Sequence, residues 1–342
     1  MLQKGKLNFL IGLSYGSEGK GNVAAYIGEK CDFDFAISNH GPNSGHQFRD
    51  ENDVTQTVKM LPVCGIVNKK PTIMLGSGSV IDINRLKLEM EQFNCADRVV
   101  ISPTAAVVND YCRDYEREHL KYNASTVQGT GAAIGLKAMR SPNIKVAKQE
   151  EQLQPYCRFD LSEAIIYGAE NFGLTSLCEI AQGYGLSVDS EHYPFCTSRA
   201  VNVGQALGYL DVPSHLVGSV IGVARTYNIR VGNVEGGNSG NVFDDSKEVS
   251  WDEMSQKLGR NVLEMTTVTK RVRRVFTFSK SLFEMAVRRN GVDILFMTFW
   301  DYLNNEERKD MTDYLTSSKF NFKEIYTVSG FGHFDKFITR IK

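Results

Sequence analysis

Residues 12–21 read GLSYGSEGKG. They follow the unbroken apolar run Leu7–Gly12, LNFLIG, and lead into residues 19–30, where Val23, Tyr26 and Ile27 recur at helical spacing. A short run without polar alternation fits a strand buried on both faces. A glycine-rich turn from such a strand into a helix fits an α/β fold. Glycines at 12, 16, 19 and 21 let the backbone approach an anion with no Cβ in the way. The helix start offers unpaired N–H groups and the positive end of its dipole, and Lys20 adds a point charge. The ordinary phosphate loop is G-x-x-x-x-G-K-[ST]. Here Ser14 stands where its first glycine belongs, and Gly21 replaces the hydroxyl residue that holds Mg²⁺. On this segment alone, phosphate binding and a purely structural turn both stay open.

The rest of the chain repeats the alternation. Residues 33–38, Thr72–Leu75, 98–102, 175–180, 220–224, 272–278 and 293–299 read as strands. Helices are expected over 105–122, 199–209, Trp251–Leu258 and Lys280–Asn290. A further helix, with Ile83, Leu86, Met90 and Phe93 as its apolar face, is expected after a capping Asp82. No repeat or linker interrupts this pattern. The expectation is one elaborated domain over residues 1–342, built on a central, largely parallel sheet flanked by helices.

Composition narrows the partners. The 342 residues carry 39 Lys+Arg against 40 Asp+Glu, a net charge of −1, so there is no global attraction to nucleic acid or an anionic membrane. Hydrophobic residues at 42% and charged residues at 23% match a globular protein, not a disordered one. No apolar run approaches the ~20 residues of a bilayer span, and the first residues are too glycine-rich for a secretory signal. Seven scattered cysteines without a CxxC read as reduced thiols. These features predict a cytoplasmic protein (host cytoplasm for a viral source) that binds neither membrane nor nucleic acid.

A second loop, NHGPNSGHQF at residues 39–48, follows a predicted strand. His46 is a candidate general acid, because imidazole titrates near neutrality; a turn with a satisfied histidine is the alternative. Together the two loops resemble those of the adenylosuccinate synthetase family, G-x-x-x-G-D-E-G-K-G followed by G-H-N-A-G-H. Five later segments resemble family motifs in the same order. LGSGSVID at 75–82 resembles I-G-N-G-V-V-L, and VQGTGAAIG at 127–135 resembles G-T-T-G-R-G-I-G. EIAQGYGLSVDSEHYPFCTS at 179–198 resembles E-G-A-Q-G…T-Y-P-Y-V-T-S. NIRVG at 228–232 resembles S-T-R-V-G, and TTVTKRVRR at 266–274 resembles T-T-T-G-R-P-R-R. The resemblance implies the family fold with its phosphate loop. It also implies a two-step reaction, in which a nucleoside triphosphate phosphorylates O6 of a purine nucleotide and the amine of aspartate then displaces that phosphate.

Two departures bear on substrate. Where cellular members of the family keep an aspartate that takes the N1 proton and binds Mg²⁺, this chain has Ser17. A hydroxyl is no ordinary base at pH 7. Guanine, however, carries a 2-amino group beside N1, and a shorter neutral side chain makes room for it and leaves an acceptor. This resembles the phage branch of the family, whose members join aspartate to dGMP on the way to 2-aminoadenine DNA. The other departure is MTFWDY at 297–302, which places Phe299 where the family's T-K-x-D lysine packs on GTP and leaves Asp301 for its carboxylate. An aromatic stacks without a guanine code, so ATP or dATP is expected. The alternatives are a divergent synthetase using IMP and GTP, and a non-catalytic nucleotide-binding module.

By resemblance, Ser17, Lys20 and His46 form the catalytic set. Glu18, Gly19, Lys20, Gly21 and Asn22 hold the triphosphate with Ser17, and Phe299, Asp301 and Gly330 surround its base. Ser17, Asn43, Gly129, Thr130, Gln182, Thr197, Val231 and Arg271 take the purine monophosphate. Arg140 reaches it from the second subunit of a homodimer. Thr267, Thr269, Arg271, Arg273 and Arg274 clamp L-aspartate, since a dicarboxylate calls for guanidinium forks. Mg²⁺ takes the Gly45 carbonyl and Ser17. The group that removes the N1 proton stays open, with Glu18 the less favoured choice.

Overall fold

The computed structural model describes residues 1–234, 239–266, 271–330 and 337–342. The strand Leu7–Gly12 takes the fifth place in a nine-stranded sheet. Its order is Ile338–Arg340, Glu324–Val328, Ile294–Thr298, Val217–Arg225, Leu7–Gly12, Ser176–Gly183, Phe35–Ser38, Thr72–Leu75 and Val99–Ile101. All neighbours run parallel except Ile338–Arg340 against Glu324–Val328. Leu7, Phe9 and Ile11 enter one apolar cluster and Leu10 the opposite one, so the central strand is buried on both faces. Asn8 survives in this strand because its amide is satisfied. Oδ1 accepts from the Gln3 and Ser219 amides, and Nδ2 donates to the Ser176 carbonyl at 3.1 Å. Among the described residues, no helix is long and apolar enough to cross a membrane.

Sequence-based boundaries hold to within a few residues for most elements. The expected helix 105–122 is divided. Ala106–Val107 pairs with Val80–Ile81 as a short strand, and the helix Asp110–His119 begins only after Asn109, whose Oδ1 accepts from the Cys112 amide at 3.0 Å. The cap competes with helix at that point and wins. The helix expected over 199–209 is shorter, Val203–Leu210, capped by Asn202, with residues 199–202 outside it. The strand expected at 272–278 is shorter, Arg274–Phe276, and lies outside the large sheet, paired antiparallel with Asn228–Arg230 and Glu248–Val249. Four helices escaped the periodicity reading: Thr130–Ala138, the short Val63–Val67, Leu161–Phe172 and Asn305–Thr316. In the first, glycines at 131 and 135 weaken the local helix preference, and tertiary contacts override it.

Gly21 explains one departure from the ordinary phosphate loop. The helix Lys20–Lys30 packs so closely on the strand His46–Arg49 that a Cβ at position 21 would lie 2.1 Å from the Gln47 carbonyl oxygen. No hydroxyl residue fits there. Gly21→Ser, which restores the usual phosphate-loop residue on paper, is expected to lower stability by about 1–3 kcal/mol through overpacking. Denaturant unfolding reads this out, and an unchanged midpoint contradicts the account.

Candidate active site

In a parallel sheet, ligands bind beyond the carboxyl ends of the strands. Here those ends deliver the loop after Gly12, the loop after Ser38, Gln182, Arg225 and Phe299 to one edge. Two cavities open there, of about 270 and 340 Å³, and they share Tyr15, Asn43, Gln182 and Val231 on their walls. The larger is lined by residues 16–22, by residues 43–47 and by Glu264, Thr266, Arg273 and Phe299. The smaller is lined by Thr130, Gly131, Thr197, Ser198 and Arg230.

The glycine loop is organised from within. Glu18 is fully buried, and its Oε1 accepts from the amides of Ser14 at 3.1 Å and Gly16 at 2.8 Å. Its Oε2 accepts from Lys20 Nζ at 2.9 Å. The ammonium also donates to the Gln182 carbonyl at 2.6 Å, which ties the loop to the neighbouring strand. Glu18 therefore shapes the loop with its carboxylate and does not turn that carboxylate toward a triphosphate. Gly19 caps the helix with φ +80°, which glycine adopts at little cost. The Asn22 side chain is likewise engaged, its Oδ1 accepting from the Arg49 amide at 3.1 Å.

His46 borders the larger cavity and is 7% exposed, with Nε2 lacking any hydrogen-bond partner. Its ring stacks on that of buried His40, with centroids 4.4 Å apart and planes 16° from parallel. Burial first, then His40 and Lys20, hold the His46 pKa well below its ordinary value. Burial, then Lys20 and Arg199, push His40 down to about 3. Both rings are neutral near pH 7. An anion arriving beside Nε2 would favour the protonated form.

Ser17 stands on the wall of the larger cavity with φ +58°. Its Oγ accepts from Nη1 of Arg273, from the segment that resembles the aspartate loop. Arg273 thus meets a hydroxyl where the family motif places an acid. The other arginines of that segment line neither cavity. Arg274 forks onto Glu248 at 2.6 and 2.8 Å and donates to the Gly240 carbonyl, so its guanidinium is not available as a clamp. Arg271 borders neither cavity; its amide donates to Thr266 Oγ1 at 2.9 Å. Thr267 and Thr269 lie outside the described residues.

The smaller cavity holds two buried hydroxyls, Thr130 Oγ1 and Thr197 Oγ1, with no hydrogen-bond partner. Buried orphan groups of this kind mark a missing ligand or water. Gly129 is not open to a phosphate. Glu116 accepts from the amides of Gly129 at 2.7 Å, Gly131 at 2.6 Å and Ala132 at 3.2 Å, occupying the helix N-terminus. The Asn43 and Gln182 side chains have both cavities in reach.

The expected triphosphate-base residues rearrange the picture. Phe299 is only 7% exposed, with the Arg225 guanidinium 3.7 Å from its ring centroid and Tyr302 edge-on at 5.2 Å. The face expected to stack on a base is covered by a cation. Asp301 borders neither cavity, because it bonds the Gly330 amide at 2.9 Å and pairs with Arg260 at 2.5 Å. Arg140 is exposed two residues beyond the helix Thr130–Ala138 and lines neither of these two cavities.

A sequence model of the adenylosuccinate synthetase family matches residues 9–154 and 144–325. The chain belongs to the adenylosuccinate synthetase family. It is 35% identical over 311 residues to the N6-succino-2-amino-2′-deoxyadenylate synthase of Vibrio phage phiVC8, covering 87% of each chain. It is 31% identical over 312 residues to the adenylosuccinate synthetase of Methanococcus aeolicus, covering 89% of this chain and 87% of that one. A solved structure, the succinoaminodeoxyadenylate synthetase of Cyanophage S-2L bound to dGMP and dATP as an energy donor, superposes with a TM-score of 0.86 at 31% identity. That match covers 98% of this chain and 95% of the other. Within this family member, sequence reading passed over Glu116, Arg225, Glu264 and His40. No local motif marks Glu116, Arg225 or Glu264, whereas His40 lies within the quoted loop 39–48 and stacks on His46.

Proposed function

We propose that the protein is a ligase that joins L-aspartate to C6 of dGMP. The γ-phosphoryl group of ATP or dATP passes to O6 as N1 gives up its proton, releasing the nucleoside diphosphate. The aspartate amine then forms the C6–N bond as the C6–O bond breaks, releasing inorganic phosphate and a proton. The product is N6-succino-2-amino-2′-deoxyadenylate. The observation that carries this reading is the uncharged Ser17 on the cleft wall beside residues shared by both cavities. An acid there opposes the 2-amino group of guanine sterically, while a serine oxygen accepts from it. Thr130 and Thr197 hold the 5′-phosphate, Asn43 and Gln182 the base, and Lys20 with the amides of residues 19–22 the triphosphate. His46 donates to the transferring phosphoryl group or O6, and Arg273 takes an aspartate carboxylate.

A Mg²⁺ ion fits here as one carried on phosphate. The exposed Gly45 offers a carbonyl on the cavity wall, the hard oxygen donor Mg²⁺ prefers. Ser17 fits poorly, because a guanidinium already bonds its Oγ. Held there with the phosphates, such an ion would supply charge neutralisation for phosphoryl transfer. The protein acts as a homodimer in the host cytoplasm. The helix Thr130–Ala138 spans about 13 Å, and Arg140 beyond its far end serves the partner's nucleotide.

Phosphate release is expected only when dGMP, aspartate and ATP or dATP are present together; IMP, dIMP and GMP are the comparison substrates. Ser17→Asp is expected to lower kcat/KM for dGMP by about 100-fold, the scale of a mismatched polar pocket, and to gain turnover of IMP. Full dGMP turnover with no gain on IMP sinks the substrate assignment.

A further inference from the structure

Arg225 ends the strand Val217–Arg225 and is fully buried, yet the reaction above assigns it nothing. Its Nη1 donates to the Ser17 carbonyl at 2.8 Å, and its Nη2 donates to Glu264 Oε1 at 2.7 Å. Phe299 covers the guanidinium face at 3.7 Å. Three segments far apart in sequence thus meet on one side chain.

Glu264 stands at the foot of a strap formed by residues 264–266 and 271–273, which are pinned to each other. The Arg273 amide donates to the Glu264 carbonyl at 2.9 Å, the Thr266 amide donates to the Arg271 carbonyl at 2.8 Å, and Met265 bridges Val272. The position of Glu264 therefore sets the position of Arg273. Arg273 Nε donates to the Met265 carbonyl at 3.0 Å and Nη1 to Ser17 Oγ. Ser17 has a left-handed backbone that L side chains disfavour, so neighbouring contacts must hold it. Arg225 thus holds both residues that support Arg273, Ser17 through its carbonyl and Glu264 through its carboxylate.

We propose that Arg225 is a positioning residue for aspartate: it clips the strap to the glycine loop and so fixes where the Arg273 guanidinium enters the cleft. The inference rests on Arg273 as the aspartate clamp. A planar fork reaches two oxygens at a fixed separation, whereas an ammonium presents one point of charge.

The test uses the full-length protein with dGMP, dATP and aspartate. Arg225→Met is expected to lower kcat/KM for aspartate by about 100-fold, as for a misplaced binding group. The dissociation constant for dGMP, measured without aspartate, is expected to stay within about threefold in Glu264→Gln, which leaves the Arg225 contact to Ser17 in place. Glu264→Gln moves the aspartate parameter in the same direction from the more exposed side of the pair. Arg225→Lys falls between Arg225→Met and the unaltered protein. Parallel loss of dGMP affinity, or an unchanged aspartate parameter in Glu264→Gln, overturns the proposal; Glu264→Gln decides the matter if Arg225→Met does not fold. Failure of the unaltered protein to release phosphate in response to aspartate with any purine overturns the ligase reading instead.

Discussion

Lys20→Met is expected to lower turnover by about 1,000-fold, the scale of losing a preorganised charge aimed at a transition state. The ammonium is held at 2.9 Å from Glu18 and 2.6 Å from the Gln182 carbonyl, at the loop that would receive the triphosphate. Phosphoryl transfer demands little of a protein beyond placing and neutralising charge, so this cation has no substitute in the glycine loop. The structure adds a consequence for folding. Glu18 is fully buried, and removing its cation costs roughly 3 kcal/mol, as for a broken buried pair. Adding Glu18→Gln to Lys20→Met removes the stranded charge. The double variant is expected to regain most of the unfolding midpoint and none of the turnover. Steady-state kinetics and denaturant titration on the two proteins separate the effects, and normal turnover in Lys20→Met contradicts the site.

His46→Asn is expected to reduce kcat by about 1,000-fold, within the range of a positioned acid, while the KM values for dGMP and dATP stay within about threefold. The asymmetry follows from the geometry. Nε2 has no hydrogen-bond partner and borders the larger cavity, so under the proposed reaction it is open to a group that develops charge. Stacking on His40 holds the ring without engaging that nitrogen. Asparagine keeps a donor but cannot carry the proton. A raised KM with unchanged kcat makes His46 a ground-state contact and removes it from the catalytic set.

Much of the fold was legible because its signals are short. LNFLIG is apolar without alternation, so it had to be a doubly buried strand, and the glycine loop behind it had to turn into a helix. Trp251–Leu258 and Lys280–Asn290 matched to the residue, since periodicity and caps coincide there. Thr130–Ala138 was missed as a helix because its glycines speak against one; its start is held by Glu116, from another helix. The candidate site divides in the same way. Thr130, Thr197, Asn43, Gln182, Lys20 and His46 came together as motif order implied. Phe299, Asp301 and Arg274 did not present the groups expected of them, because each found a nearer partner: Arg225, the Gly330 amide with Arg260, and Glu248.

The amino-acid sequence alone determined the class of fold, the phosphate-type loop, the order of the motifs and the neutral residue at position 17. Each is written in a few adjacent residues and needs only backbone geometry or side-chain chemistry to read. Only the folded chain decided which charges stay free to meet a ligand. Ser17 and Arg273 are 256 residues apart in sequence and Arg225 and Glu264 are 39 apart. A guanidinium binds whichever oxygen strand register brings within reach, and that register is set by the packing of the whole sheet.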